Sequence, residues 1–482
     1  MPFAFDNTYT RLPAPFFSRV APTPVATPSL LMFNRSLAES LGIDPDQLTE
    51  AEWADRLSGN TPLPGSDPIA QAYAGHQFGG FTVLGDGRAI LLGEHRAAGG
   101  ERYDIQLKGS GPTPYARRGD GRAAVGPMLR EYIISEAMHH LGIPTTRSLA
   151  VVATGETVRR EQPLPGAVLT RVAASHLRVG TFEYFAARGD AASLKVLADY
   201  TIQRHFPQCA ESSEPYRELL RITIERQVSL VVQWLLVGFV HGVMNTDNVA
   251  VSGETLDYGP CAFMNRYDPA TVFSSIDRDG RYAYGNQPAV TQWNMARFAE
   301  TLLPLLHENE ASAIEIAKES IGSFGDSFRK IWLAGMRSKL GLFESSPSDQ
   351  SLFQDLLNWM RESHADYTTT FRELSNLQTL TAPPFSGEQF EAWHKRWVTR
   401  LEQEPHPREE AFQMMVLKNP RYIPRNHLVE EALSEAVQEG RLEKTRQLIS
   451  VLSNPFTDQP LMERYAAAPT VDDQNYQTFC GT

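Results

Sequence analysis

The sequence predicts an α+β fold with two lobes, strand-rich first and helix-rich second. Three observations carry that expectation. Short apolar runs are broken by Gly and Asp over residues 71–180, helical periodicity dominates from about residue 190 onward, and the length of 482 residues exceeds one ordinary domain while allowing a large buried core.

In chain order, residues 1–70 are rich in proline and polar breaks, with a helix expected over Ser36–Leu41. They read as an N-terminal extension that wraps the body. Phe81–Leu84 and Ala89–Leu92 flank Gly85-Asp86-Gly87-Arg88, and Asp-Gly between apolar runs predicts a hairpin. Arg102–Leu107 alternates, so a third strand ends at Lys108, before Gly109-Ser110-Gly111-Pro112 breaks it. Residues 127–141 have helical periodicity with proline at the start. Ser148–Ala153 and Gly166–Val172 read as further strands. Residues 217–240 run from an amphipathic to an apolar helix, and 290–305, 309–320 and 352–375 are also helical. A charged helical segment, 385–452, precedes an irregular tail from Ser453. The expected units are an extension (1–70), a strand-rich nucleotide lobe (71–180), a helical lobe (181–380) and a C-terminal extension (381–482). This is a protein-kinase-like two-lobed layout with additions at both ends.

Composition narrows the function classes. Hydrophobic residues make up 42% and charged residues 21%, as in ordinary globular proteins. Lys and Arg number 45 against 57 Asp and Glu, a net charge of −12, with a pI near 5.5. That argues against a nucleic-acid partner but leaves room for a local basic pocket. Cys209, Cys261 and Cys480 lie far apart without a CxxC, which excludes a disulfide framework or zinc site and fits a reducing cytoplasm. The start, Met1–Thr10, has no secretory pattern. The most apolar run, Val228–Val240, has 13 residues including Gln233, too few to span a bilayer. A soluble cytoplasmic monomer with no membrane partner is expected.

The chemistry concentrates in four places. Gly85, Gly87 and Arg88 sit in a turn whose backbone N–H groups could approach phosphate; a plain hairpin turn is the alternative. Lys108 ends a strand, and Glu131 lies 23 residues on in the expected helix, the arrangement in which a lysine paired with a glutamate holds nucleotide phosphates. A surface ion pair is the alternative. The strongest signal is His241-Gly-Val-Met-Asn-Thr-Asp-Asn248 followed by Asp257-Tyr-Gly259, which parallels the kinase catalytic loop and its D-F-G. Asn248 and Asp257 are hard oxygen donors suited to Mg²⁺ on phosphates. The position of the kinase base is Val243, which cannot accept a proton, and Asp247 is the nearest carboxylate. Arg171 and Arg178, seven apart, form a guanidinium pair outside the standard kinase set; they read either as phosphate forks or as solvent-exposed arginines.

Many ordered segments resemble the selenoprotein O family, also called SelO or YdiU, from about residue 70 to the C-terminus. They are Tyr73-Ala-Gly-His-Gln-Phe78, Gly85-Asp-Gly-Arg88, Leu107-Lys-Gly-Ser-Gly111, Gly119-Asp-Gly-Arg122, Ser135-Glu-Ala-Met138, Leu141-Gly-Ile-Pro-Thr-Thr-Arg147 and Ser175-His-Leu-Arg178. The His241–Asn248, Leu256–Gly259 and Asn286-Gln-Pro288 segments continue the series. The resemblance implies a pseudokinase that transfers AMP from ATP to protein hydroxyls, with the nucleotide inverted and UTP as a possible substitute. It implies that Gly85, Gly87, Arg88, Asp120 and Gly121 contact nucleotide. Lys108 would bind phosphate and pair with Glu131, and Arg171 and Arg178 would hold phosphates. Asn248 and Asp257 would hold Mg²⁺ or Mn²⁺, and Asp247 would accept the proton. Cys480 matches the family's cysteine or selenocysteine near the C-terminus, which suggests a link to redox stress. Some relatives pair this cysteine with another near the segment after Asp257-Tyr-Gly259; here that segment, Tyr267–Asp277, has no cysteine, and Cys261, directly after Gly259-Pro260, is the closest candidate. His76 is expected to shape the nucleotide loop, and His139-His140 to be a helix-face pair. Two other readings stay open: a phosphotransferase using Asp247 as base, and a nucleotide-binding scaffold without catalysis.

Overall fold

The structure, a computed structural model of the chain, describes residues 3–376, 385–469 and 476–479. Its architecture is α+β: an antiparallel sheet and a set of helices. The strands are β1 (Phe17–Arg19), β2 (Ser29–Phe33), β3 (Ile69–Gln71), β4 (Ala74–Gln77), β5 (Gly80–Val83), β6 (Ala89–Arg96), β7 (Arg102–Lys108), β8 (Ala123–Ala124), β9 (Arg147–Arg159), β10 (Pro163–Ala173), β11 (Phe239–Val240) and β12 (Ala262–Phe263). The main sheet has the order β1-β3-β6-β7-β10-β9-β2, with β8 on β10. Residues 17–33 thus supply both edge strands, β1 and β2.

Period-two alternation explains how this sheet serves two layers. On β7 and β10, Ile105, Leu107, Val168 and Val172 join an apolar cluster with Leu37, Trp53 and Leu57 of the first two helices. The register sets Arg171 opposite Gln106 and Leu169 opposite Lys108. Gln106, Lys108 and Arg171 therefore share the other face. There the helix Val125–His140 packs through Met128, Leu129, Tyr132 and Ile133 onto Leu169, the long helix Pro215–Val237, and the C-terminal helices Asn426–Ser434 and Glu443–Leu452.

The sequence-based hairpin is corrected. β5 pairs with β4, not β6, through a two-residue turn at Phe78-Gly79. Both turn residues have positive φ, +51° and +87°, the twist that a two-residue hairpin favours. β6 instead joins β3 and β7. The Gly85–Arg88 segment is a connection held from inside, because Asp86 is buried.

The expected helices occur with shifted ends. Residues 217–240 form Pro215–Val237, stopped by Gly238, after which β11 begins. The span 352–375 splits into Asp349–Glu362 and Tyr367–Leu374, because Asp366 accepts from the Thr369 N–H (2.8 Å) and caps a new start. The span 385–452 divides into Glu388–Glu402, Arg408–Lys418, Asn426–Ser434 and Glu443–Leu452, separated at prolines and Gly440. An additional helix, Phe324–Lys339, was not expected. Among the described residues no helix is long and apolar enough to cross a membrane.

That helix buries Lys339. Its Nζ donates to the Leu236 carbonyl at 2.8 Å and lies 4.1 Å from the Phe371 ring centre. Burial pushes its pKa down to about 7. The unfolded amine keeps its proton to about pH 10.5, so between pH 7 and 10 the unfolded chain binds more protons and stability rises with pH. Lys339→Met is expected to remove that rise. Melting temperatures of both proteins at pH 7, 8.5 and 10 check it, and parallel curves would contradict it.

Candidate active site

β11 and β12 pair Phe239 with Phe263 and Val240 with Ala262. This clamp brings the ends of the intervening segment together, so the His241–Asn248 and Asp257–Gly259 motifs face one cleft. His241 is the buried brace between them. Its Nε2 bonds to the Leu256 carbonyl at 3.0 Å, its Nδ1 accepts from the Val243 N–H, and its ring packs on Trp234. Burial pushes its pKa down, which keeps the ring neutral for these bonds. Asp257 adopts φ +67°, a left-handed conformation uncommon outside glycine and often stored at functional sites.

The cleft has a volume of about 620 Å³. Of the residues singled out in the sequence, Gly87, Arg88, Lys108, Asp120, Gly121, Arg171, Arg178, Asp247, Asn248 and Asp257 line it. Glu131 stands behind Lys108. Gly85 does not line it: at φ +132°, a β-carbon there would enter the Tyr115 ring, so this glycine lets two loops touch. Gly121 has the same role against the Gly111–Pro112 backbone.

A buried four-member network closes the inner end. Lys108 Nζ donates to Glu131 Oε2 at 2.7 Å and to Asp257 Oδ1. Arg171 donates through Nε to Glu131 Oε1 at 2.7 Å and through Nη2 to Asp257 Oδ1 at 3.0 Å. Burial alone would raise the Glu131 and Asp257 carboxyls, but Arg171 and Lys108 outweigh it and hold both below the usual range, Asp257 well below. The Lys108–Glu131 pair is therefore a buried pair, not a surface one. The Arg171 and Arg178 side chains are likewise buried, so the solvent-exposed reading of that pair is excluded.

Arg178 lies over Tyr73, its guanidinium carbon 4.3 Å from the ring centre, and donates Nη1 to the Asp247 carbonyl at 3.0 Å. The Asp247 carboxyl is almost fully buried. Burial raises its pKa to about 6, against the pull of Arg178. Asn248 donates its amide N–H to the Val243 carbonyl at 3.1 Å, which leaves its amide oxygen for other partners. At the outer end, Arg160 grips Asp120 with two bonds, 2.9 and 3.2 Å. Eight cationic side chains and four carboxylates line the cleft, so it attracts a polyanion despite the acidic chain.

Several supports escaped the sequence reading. Glu183 Oε2 accepts from the Thr246 hydroxyl at 2.6 Å and Oε1 bonds His76 at 2.6 Å. The His76 backbone N–H donates to Thr246 Oγ1 at 2.7 Å, so His76 braces the His241–Asn248 segment and not the Gly85–Arg88 connection. Asn245 Oδ1 accepts from Tyr282 and the Phe78 N–H. Tyr73 lay inside the Tyr73–Phe78 motif, a signal that could have pointed to it; Glu183 had none.

Asn248 and Asp257 fit a hard divalent cation. They supply an amide oxygen and an ionised carboxylate with 28% of its side chain exposed, and Mg²⁺ takes few protein ligands when phosphates and waters complete its shell. Among the described residues no three His, Cys, Asp or Glu side chains cluster as a separate metal site. Cys261 is buried and its thiol is pushed up to about 12, so it carries almost no thiolate for disulfide exchange. Cys480 lies outside the described residues.

The family described as "Protein adenylyltransferase SelO" matches residues 1–453. Proteins named "Protein nucleotidyltransferase YdiU" are similar over nearly the whole chain. Those of Syntrophotalea carbinolica and Brevibacillus brevis are each 57% identical, over 99% of this chain and 97% of theirs. That of Geobacillus kaustophilus is 57% identical over 99% of both.

Proposed function

The chain belongs to the SelO family of protein adenylyltransferases and is a nucleotidyltransferase, and we propose that it moves AMP from ATP onto Ser, Thr or Tyr hydroxyls of protein substrates. The reading adds a protein-kinase-like pair of lobes, an inverted nucleotide, UTP as a second donor, and action as a cytoplasmic monomer.

One observation carries it: Arg171 and Arg178 share a cleft with Lys108 and Asp257, while Val243 stands where a kinase has its base. An ordinary kinase orientation holds the phosphates with Lys108 and needs no pair of buried arginines. Two buried guanidiniums suit the β- and γ-phosphates of a nucleotide lying the other way, with its α-phosphate toward Asp247. The acceptor oxygen forms a bond to the α-phosphorus and its proton passes to Asp247. The bond between α-phosphorus and the bridging oxygen breaks, and pyrophosphate leaves against the arginines and Lys108. A divalent cation on Asn248 and Asp257 supplies charge neutralisation on the phosphates. Glu131 keeps Lys108 extended, and the 241–261 clamp holds Asp247 near the reacting end.

Incubation with α-labelled or γ-labelled ATP and Mg²⁺ or Mn²⁺ tests this. Label on protein from the α position only is expected. Label from the γ position only would make the protein a phosphotransferase with Asp247 as base. ATP binding without either label would leave a scaffold.

A further inference from the structure

Asp86 is a buried carboxylate, 1% exposed, that the chemistry above does not use. Its Oδ1 lies 3.5 Å from Nη2 of Arg178. Its Oδ2 accepts from the Gln71 backbone N–H at 3.1 Å and from Gln106 Nε2 at 3.4 Å. The same Gln106 amide turns its Oε1 to Nη1 of Arg171, also at 3.4 Å. An amide between a carboxylate and a guanidinium has one possible orientation, because a carboxylate only accepts and a guanidinium only donates. Asp86 thus reaches Arg178 directly and Arg171 through Gln106. Its own backbone is fixed as well: its N–H donates to the Gln71 carbonyl at 3.0 Å and its carbonyl accepts from Thr113 Oγ1 at 2.5 Å.

We propose that Asp86 is a positioning residue for the two arginines that meet the polyphosphate chain of the nucleotide, orienting Arg178 directly and Arg171 together with Glu131 and Asp257. The inference rests on the proposed reading that Arg171 and Arg178 hold phosphates. Besides Asp86, Arg178 is held through Nη1 by the Asp247 carbonyl at 3.0 Å and by the Tyr73 ring, and among the described residues its Nε has no partner, so Asp86 is the one carboxylate that fixes its Nη2 end. A fork meets phosphate bidentately only when its plane is set beforehand, so loss of the orienting acid weakens phosphate binding without touching the base.

The test uses Asp86→Asn, which keeps the shape and removes the charge. ATP KM is expected to rise about tenfold, the size of one lost hydrogen bond to a charged group, with kcat changed far less. Inorganic tripolyphosphate should bind more weakly by the same factor and adenosine unchanged. Asp86→Asn/Gln106→Glu returns a carboxylate between the two arginines and is expected to recover most of the tripolyphosphate affinity. A folded Asp86→Asn that binds tripolyphosphate within about twofold of wild type overturns the proposal, as does an equal loss of adenosine. If Asp86→Asn does not fold, Gln106→Leu, which cuts only the relay to Arg171, should show the same selective loss, and its absence counts against the proposal. Arg171→Ala and Arg178→Ala separate the premise: normal tripolyphosphate binding in both overturns the phosphate assignment itself.

Discussion

Asp257→Asn is expected to lower AMP transfer at least ~100-fold while leaving the protein folded, a loss of the size seen when a pre-set group stabilising transition-state charge is removed. Asparagine is the informative replacement. It tolerates the φ of +67° that this position adopts, whereas alanine adds left-handed strain of roughly 1 kcal/mol and confuses stability with chemistry. The substitution removes an ionised oxygen that the structure keeps charged with Lys108 and Arg171, both of which retain Glu131. Steady-state transfer of α-label at saturating ATP and Mg²⁺, with circular dichroism as the folding control, measures it. Transfer within tenfold of wild type would mean that the carboxylate holds no essential cation.

The network around Asp257 was readable because its members have chemically specific neighbours in the chain. Lys108 ends an alternating strand, Glu131 sits in a periodic helix, and Asp257 and Asn248 stand in spaced motifs. What joins them was not readable. Arg171 meets Gln106 because β10 pairs with β7 in one register, and a single sequence does not state a register. Asp86 was hidden for a different reason. An Asp-Gly pair between apolar runs looks the same whether it caps a hairpin or enters the interior, and what draws it inward is Arg178, 92 residues away. The true hairpin turn, Phe78-Gly79, went unseen because phenylalanine is a poor signal for a left-handed turn. Helix existence was legible from periodicity, but breaks such as the one before Tyr367 depend on a single capping side chain.

Glu131→Ala is expected to cost about 3–5 kcal/mol of stability, the scale for removing one partner of a buried ion pair. The side chains of Lys108 and Glu131 are only 7% and 1% exposed, so water cannot solvate what is left. Two cations would then share the one carboxylate of Asp257, and Lys108 would lose the contact that holds it away from the metal ligand. Transfer should fall with stability for that reason. The two losses separate with nucleotide. Triphosphate brings negative charge to the orphaned cations, so saturating ATP should recover a larger part of the melting temperature in the variant than it adds to wild type, by mass action on the folded state. Transfer should stay low even then, because phosphate replaces the charge of Glu131 but not its position on the helix. Glu131→Gln, which keeps one acceptor and the shape, should fall between the two proteins in both measurements. Melting curves with and without ATP, read beside α-label transfer, decide it: a Glu131→Ala protein as stable as wild type would show that this pair contributes no more than a surface one.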